Sequence, residues 1–144
     1  MIGIIVTTYG KLASDFIETV EIVLGEQEFV ETVGVMPQDS ANDILTNLKA
    51  AIEKLQDSDG VLILAGIFGE SCCNFSLSLC RSDNNIISSR PLRVVTGVNL
   101  PMLLKVFTYR SILNLDKLAA CACEGGQKGI FDATERLQVS GQRG

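Results

Sequence analysis

Short runs of aliphatic and β-branched residues alternate along the chain with segments of helical periodicity, and this alternation restricts the fold more than any other feature. The runs fall at residues 2–7, 29–35, 61–65 and 92–98. The first and third are apolar almost throughout, which is typical of strands buried on both faces of a parallel sheet. With right-handed crossovers, the sequence predicts an α/β fold with a doubly wound, mostly parallel sheet flanked by helices on both faces, and with the third run at its centre.

The segments between the runs carry apolar residues at spacings of three and four, which predict helices. These helices are expected at residues 13–24, 44–55, 71–80, 101–109 and, as one final helix, 115–137. The polar stretch 81–91 is predicted to be an exposed connection, and residues 140–144 a frayed tail. A chain of 144 residues with 47% apolar content fits one domain, residues 1–144.

Charge and hydropathy exclude several classes of partner. The net charge of -5, the pI near 4.7 and the absence of a lysine or arginine run argue against binding to nucleic acid or anionic lipid. The longest apolar stretch, at 61–68, is far shorter than the ~20 residues that a membrane span needs. The chain starts with strand-like residues rather than a basic, cleavable leader, so we expect a cytoplasmic protein.

The chain contains no histidine, which removes histidine-based triads, metal sites and phosphohistidine from its own chemistry. An odd number of cysteines without a secretory leader predicts free thiols rather than a disulfide framework. Their spacings do not match a zinc site, and we expect neither a metal nor a cofactor. The cysteines are Cys72, Cys73, Cys80, Cys121 and Cys123.

Ligands of parallel α/β sheets bind at the carboxyl ends of the strands, which directs attention to the loops at residues 7–10, 66–71 and 96–99. The second loop opens a helix, whose free N–H groups could hold an anion near Ser71. Glu70 places a negative charge where that anion would approach, and Ser71 is equally consistent with a simple helix N-cap.

Four segments together resemble the mannose-type IIA component of the bacterial phosphoenolpyruvate-dependent sugar phosphotransferase system, which includes mannose, fructose and sorbose systems. They read TTYG at 7–10, VLGEQE at 23–28, GVLIL at 60–64 with GES at 69–71, and TGVNLPML at 96–103. The segments occur in family order and spacing over essentially the whole chain. The last segment is the most specific of them.

The resemblance implies a homodimer that accepts a phosphoryl group from a histidine of the carrier HPr and passes it to a IIB component. It would approach the membrane only indirectly, through the sugar permease. The acceptor histidine of the family falls on Tyr9, and the supporting aspartate falls on Gly66. The binding positions that we expect in the three loops at the strand ends are Thr8, Gly10, Phe68, Gly69, Glu70, Ser71 and Asn99.

We interpret the chain as a IIA-like component that is degenerate at its phosphoacceptor site and acts as a binding or regulatory partner of HPr or a IIB component. Two alternatives remain open. One is a module that binds a small molecule through the loop after the third strand. The other is residual phosphotransfer through Tyr9, Ser71 or a cysteine, so the sequence leaves open whether the chain is a phosphotransferase. The dimer is expected to bury apolar surface from residues 115–137.

Overall fold

The computed structural model describes residues 1–81 and 90–143. Four strands and six helices occur in these residues, in the alternating order that the sequence predicts at the start of the chain. The strands are β1 (Gly3–Tyr9), β2 (Val30–Val35), β3 (Val61–Ala65) and β4 (Leu92–Thr96). The helices are α1 (Leu12–Leu24), α2 (Ala41–Lys54), α3 (Ser71–Arg81), α4 (Leu100–Tyr109), α5 (Leu115–Lys128) and α6 (Ala133–Arg143).

The four strands form one parallel sheet in the order β2-β1-β3-β4. The centre of this sheet is the β1–β3 pair, in which Ile5 lies opposite Ile63. All five residues of β3 are buried. The predicted α/β class, the parallel sheet and the central position of the third strand are therefore confirmed.

Side chains of the central strands alternate between two apolar cores, one on each face of the sheet. Ile4 and Val6 of β1 face α1, α4 and α5. Ile5 of β1 and Ile63 of β3 face α2 and α3. Because helices cover both faces, strand residues of either parity are apolar, which explains the continuous rather than alternating pattern of these runs.

Two glycines of α5 let it pack closely against α4. A Cβ at Gly125 would press against the side chain of Lys105, and one at Gly126 would press against Met102. The glycines that weaken α5 as an isolated helix are thus required by its packing.

The prediction of one final helix over residues 115–137 is wrong. Helix α5 ends at Lys128, and α6 begins at Ala133. Gly129 follows α5 directly, and a Cβ there would overlap the ring of Pro101, so only glycine fits at this position. Asp132 then starts α6, because its carboxylate accepts hydrogen bonds from the backbone N–H groups of the second and third residues of that helix.

Strand boundaries also differ slightly from the predictions. Strand β4 ends at Thr96 rather than at residue 98, because Gly97 adopts a left-handed conformation with φ +78°. Strand β1 continues to Tyr9. Most of the predicted connection at 81–91 lies outside the described residues. The predicted frayed tail falls on the last turn of α6 and on Gly144, which is also outside them. Among the described residues, no helix has both the length and the apolar content needed to cross a bilayer.

A buried arginine forms hydrogen bonds to the segment directly before β2. Arg110, which follows α4, is 4% exposed and donates to the backbone oxygens of Glu28 at 2.6 Å and Phe29 at 3.3 Å. It also donates to Gln27 Oε1 at 3.2 Å and lies over the ring of Phe107. Burial lowers the pKa of Arg110, and the nearby charge of Glu28 opposes that shift. The guanidinium therefore joins the end of α4 to the segment before β2 by charge-assisted hydrogen bonds, one of them to Phe29 O, which also accepts from Ile4 N.

Replacing Arg110 with Met should therefore destabilise the protein by about 3 kcal/mol, since it removes the hydrogen bonds of a buried charged donor, which are worth ~1.5–3 kcal/mol each. Urea denaturation measures the change. Arg93→Met is the matched control, because Arg93 forms an exposed ion pair with Asp116 that is worth ~0–1 kcal/mol. Equal midpoints for the two variants would contradict the assigned role of Arg110.

Candidate functional site at the carboxyl edge of the sheet

The three loops singled out in the sequence meet at the carboxyl edge of the sheet, as predicted. The N–H of Gly66 donates to Thr7 O at 3.1 Å, which joins the ends of β3 and β1. The N–H of Gly97 donates to Gly66 O at 2.9 Å, and that of Val98 donates to Ala65 O at 3.1 Å. Backbone hydrogen bonds therefore hold the ends of β1, β3 and β4 in one fixed arrangement.

Tyr9 is the last residue of β1, and its side chain is 49% exposed at this edge. Its hydroxyl donates a long hydrogen bond of 3.4 Å to Ser71 Oγ, at the start of α3. The structure thus brings together two of the predicted site residues, 62 positions apart in the chain.

The predicted binding residues Thr8 and Gly10 shape the first loop. Thr8 is buried, and its Oγ1 accepts a hydrogen bond of 2.8 Å from the N–H of Ala13. This bond substitutes for the side-chain cap that Lys11, the residue before α1, does not provide. Gly10 has a φ of +62°, which turns the chain sharply from β1 into α1. The Thr8 hydroxyl therefore stabilises the turn between β1 and α1 through a hydrogen bond within the chain.

Asn99 performs a similar task at the start of α4. Its Oδ1 accepts from the N–H of Met102 at 2.9 Å, and its amide donates to Gly126 O at 3.4 Å. The residue therefore caps α4 and connects it to α5. It also lines a cavity of about 210 Å³ between the β4–α4 loop and α5.

The loop before α3 is held by local hydrogen bonds. Gly69 adopts a left-handed φ of +89°, and its carbonyl accepts from the Asn74 side chain at 2.9 Å. The carbonyl of Glu70 accepts the first helical hydrogen bond, from Asn74 N at 2.9 Å. Glu70 thus occupies the N-cap position and Ser71 the first helical one, so the reading of Ser71 as the N-cap is wrong.

Glu70 therefore places a carboxylate at the positive end of the α3 dipole. A carboxylate favours this position for its own stability and opposes any second anion that approaches it. The loop is thus a poorer anion site than its free N–H groups alone suggest.

The cysteines beside this loop are poor nucleophiles. Cys72 and Cys73 are buried, and burial raises the pKa of the Cys72 thiol. Cys80 and Cys123 are exposed, Cys121 is partly buried, and all five thiols are free. Among residues 1–81 and 90–143, no group of three or more Cys, Asp or Glu side chains is placed to hold a metal ion.

Gly66 leaves space for a side chain. A Cβ built on it would meet only Thr8 Cγ2, at an ordinary distance of 3.8 Å, and its φ lies outside the left-handed region. An aspartate would therefore fit here without displacing the sheet. The position lacks a carboxylate because of the residue type and not because of crowding.

Three exposed apolar side chains at this edge were not assigned together from the sequence. Leu12 is 50% exposed, Ile67 60% and Phe68 76%. Only Phe68 was predicted as a binding residue. The available signal was two adjacent large apolar residues, Ile67 and Phe68, in the loop after β3, together with a leucine at the first position of α1.

The arrangement offers hydroxyl groups and one carboxylate but no imidazole. A hydroxyl is a weak nucleophile at neutral pH unless a base removes its proton or a metal lowers its proton affinity. Glu70 is the acidic residue of this loop, and the structure gives no hydrogen bond from it to Tyr9 or Ser71. Among the described residues, neither hydroxyl forms a hydrogen bond to a carboxylate.

Comparison with known families gives a match over residues 3–122 to the family described as PTS system fructose IIA component, EIIA-man. The chain is 31% identical over 130 residues to the PTS system mannose-specific EIIAB component of Escherichia coli K12. That alignment covers 90% of this chain but 38% of the longer relative. This chain is also 25% identical over 138 residues to the PTS system fructose-specific EIIA component of Bacillus subtilis. That alignment covers 96% of this chain and 90% of that protein.

Solved structures agree in fold. The phosphotransferase system component EIIA from Streptococcus agalactiae superimposes with a TM-score of 0.82 at 24% identity, covering 94% of this chain and 99% of that one. The PTS IIA protein associated with the fucose utilization operon from Streptococcus pneumoniae gives a TM-score of 0.78 at 28% identity, covering 94% and 96%. The family match over most of the chain, together with this shared fold, shows that the chain belongs to the EIIA-man family and is a IIA-type component of the sugar phosphotransferase system.

Proposed function

We propose that this chain is a IIA component that no longer relays phosphoryl groups and instead binds HPr or a IIB component as a regulatory partner. The proposal rests on the residue type at the end of β1. At the position where the family resemblance puts the acceptor histidine stands Tyr9, in a chain without any histidine. We assign this role to the cytoplasm, where HPr and IIB act, with the membrane reached only through the permease.

The chemistry of the two side chains supports this proposal. A neutral imidazole attacks phosphorus readily near pH 7 and forms a high-energy phosphoramidate. A phenol is protonated at that pH and would form a phosphate ester, from which transfer to a histidine of IIB is uphill. Tyrosine at the end of β1 therefore blocks both the acceptance and the onward donation of the phosphoryl group.

The surroundings of Tyr9 support it as well. Gly66 supplies no carboxylate to orient an imidazole. Removal of such an orienting carboxylate strongly lowers the rate of reactions that depend on the histidine. Glu70 at the start of α3 would repel the oxygens of an incoming phosphoryl group. Three changes at one site thus act in the same direction.

The scaffold around the site supports retained binding. The backbone hydrogen bonds that join the loops are intact, and Leu12, Ile67 and Phe68 remain exposed at the rim. Exposed apolar side chains with a polar surround are typical of surfaces that contact another protein. The proposal therefore separates the docking surface, which is kept, from the transfer chemistry, which is lost.

We expect the wild-type chain to gain no mass when it is incubated with phosphoenolpyruvate, enzyme I and HPr. Tyr9→His should restore little labelling, because Gly66 still lacks the carboxylate and Glu70 still opposes the phosphoryl group. Tyr9→His with Gly66→Asp should label at least tenfold faster than the single variant, and adding Glu70→Gly should increase the rate further. Intact mass and a time course of acid-labile phosphate measure all four proteins.

Tyr109→His is the matched control, because Tyr109 lies on α4 away from the site and packs against the core. A histidine there should leave the chain unlabelled. Rapid labelling of the wild-type chain, or full activity from Tyr9→His alone, would contradict the proposal.

We also propose that the chain forms a homodimer through its C-terminal part. Ile130 is 77% exposed, Phe131 50% and Leu137 73%, and all three lie between the end of α5 and the middle of α6. Exposed apolar residues that are concentrated in one segment support burial against a second copy. A stable dimer buries ~1,200–2,000 Å² in total, and we expect these three side chains to form the apolar centre of that interface.

Light scattering at micromolar concentration should therefore give the mass of a dimer. Ile130→Asp should shift the mass towards the monomer, because a buried, unpaired carboxylate opposes association. Ile112→Asp is the control, since Ile112 has a similar exposure of 74%. It follows the C-terminal end of α4, whereas Gly129, next to Ile130, packs against Pro101 at the N-terminal end of that helix. A monomeric wild-type chain, or equal effects of the two variants, would contradict this assignment.

A further inference from the structure

Strand β2 forms one edge of the sheet, since β1 is the strand hydrogen-bonded to it. The N–H groups of Ile4 and Gly10 donate to Phe29 O and Val35 O, so odd-numbered residues of this segment bond to β1. Hydrogen-bonding directions alternate along a parallel strand. The backbone groups of Thr32 and Gly34 therefore point outwards, and in the described part of the chain nothing pairs with them.

The edge lacks the features that usually prevent strand addition. Its sequence VETVGV contains no proline and no lysine, and its register with β1 is regular over six residue pairs. Glu31, its charged residue, forms an ion pair of 3.1 Å with Lys54 of α2. Thr32 and Gly34 are both exposed. A strand with free, exposed backbone groups is able to pair with an extended peptide.

A groove flanks this edge on each face of the sheet. On the α2 side a cavity of about 230 Å³ is bordered by Val33 and by the small side chains of Ala50 and Ala51. On the α1 side a cavity of about 300 Å³ is bordered by Ile17, Glu18 and further polar residues of α1. Successive side chains of an added strand point to opposite faces, so they would enter these two grooves in turn.

The two grooves differ in charge. Glu18 and Glu21 border the α1-side groove, and neither forms an ion pair within residues 1–81 and 90–143. Glu21 Oε1 accepts one hydrogen bond, of 3.2 Å, from Gln27 N. The α2-side groove combines the small side chains of Ala50 and Ala51 with the amide of Asn47, and its carboxylate, that of Glu31, is already paired with Lys54. A basic side chain therefore suits the α1-side groove, and a small uncharged side chain suits the α2-side groove.

We propose that the β2 edge binds an extended peptide segment of a partner protein by strand addition, with Lys or Arg facing α1 and small aliphatic residues facing α2. Backbone hydrogen bonds to Thr32 and Gly34 supply affinity, and the two grooves supply specificity. A second copy of this chain suits the edge less well. Antiparallel pairing of two β2 strands brings Glu18 and Glu21 of both copies to one face, in a protein of net charge -5.

This surface is separate from the loops that carry the proposed function, because it runs along the side of the sheet rather than across the carboxyl ends of its central strands. Occupation of β2 therefore requires neither phosphoryl transfer nor HPr. The two proposals fail independently.

The test uses a labelled peptide of alternating valine and lysine, with a valine–glutamate peptide of the same length as its counterpart. Fluorescence anisotropy should show saturable binding of the lysine peptide to the wild-type chain, at least tenfold tighter than binding of the glutamate peptide. Hydrogen exchange should show that the amides of Thr32 and Gly34 become protected in the complex, since these are the N–H groups that an added strand engages.

Two sets of variants separate the contributions. Glu18→Lys with Glu21→Lys should weaken binding of the lysine peptide at least tenfold, whereas Glu53→Lys with Asp57→Lys, an equal charge change at exposed positions outside both grooves, should leave most of it. Thr32→Pro should abolish binding, because proline removes the outward N–H. Its folding is checked by circular dichroism, and the exchange data on the wild-type chain stand independently of it.

Absence of binding at about 1 mM peptide would overturn the proposal. So would binding without protection of Thr32 and Gly34, or equal effects of the two charge-reversal pairs. A dimer that dissociates in Thr32→Pro would show instead that a second copy occupies the edge.

Discussion

The parallel pairing of β1 with β3 is the interaction on which the rest of the molecule depends. From Ile4 to Val6 and from residue 61 to residue 65 these strands are buried, so their peptide groups must bond to each other and to the outer strands. Burial on both faces then requires helices on both sides. The same register brings the ends of β1, β3 and β4 to one edge, where Tyr9, Gly66 and the loop after β4 meet.

The site shows how scaffold and chemistry separate within one fold. The interactions that position the loops are backbone hydrogen bonds and helix caps, such as Thr8 to Ala13 and Asn99 to Met102. None of them involves the groups that a phosphoryl relay requires. The scaffold of the family is therefore compatible with a tyrosine at the end of β1, which is why family membership can be plain in the chain while the activity that we propose differs from a relay. Function resides in the site and not in the fold.

The sequence predicted the elements whose pattern is local and missed the features that depend on distant residues. The aliphatic run of β3 and the apolar spacing of α2 are readable from neighbouring positions, and both were predicted within a few residues. The break between α5 and α6 was missed because it arises where Gly129 meets Pro101, 28 residues earlier. The role of Arg110 was missed because its carbonyl partners lie about 80 residues away in the chain.

At the site, the sequence predicted which loops converge but not what their side chains do. Topology alone brings the strand ends together, so the convergence followed from the order of strands and helices. The hydrogen bond from Tyr9 to Ser71 and the capping by Thr8 depend on loop geometry that no spacing rule describes. The exposure of Leu12, Ile67 and Phe68 could not be predicted, because the sequence does not show whether a large apolar side chain next to a loop is buried.

The central claim is that this edge still docks a partner without accepting its phosphoryl group. The most direct measurement is an NMR titration of the isotope-labelled chain with unphosphorylated HPr and, separately, with a IIB component. The account predicts that at least one of them shifts amide signals concentrated at residues 9–12, 66–71 and 96–100, while the intact mass of the chain stays constant. Unchanged spectra with both proteins, or shifts confined to other parts of the chain, would contradict it.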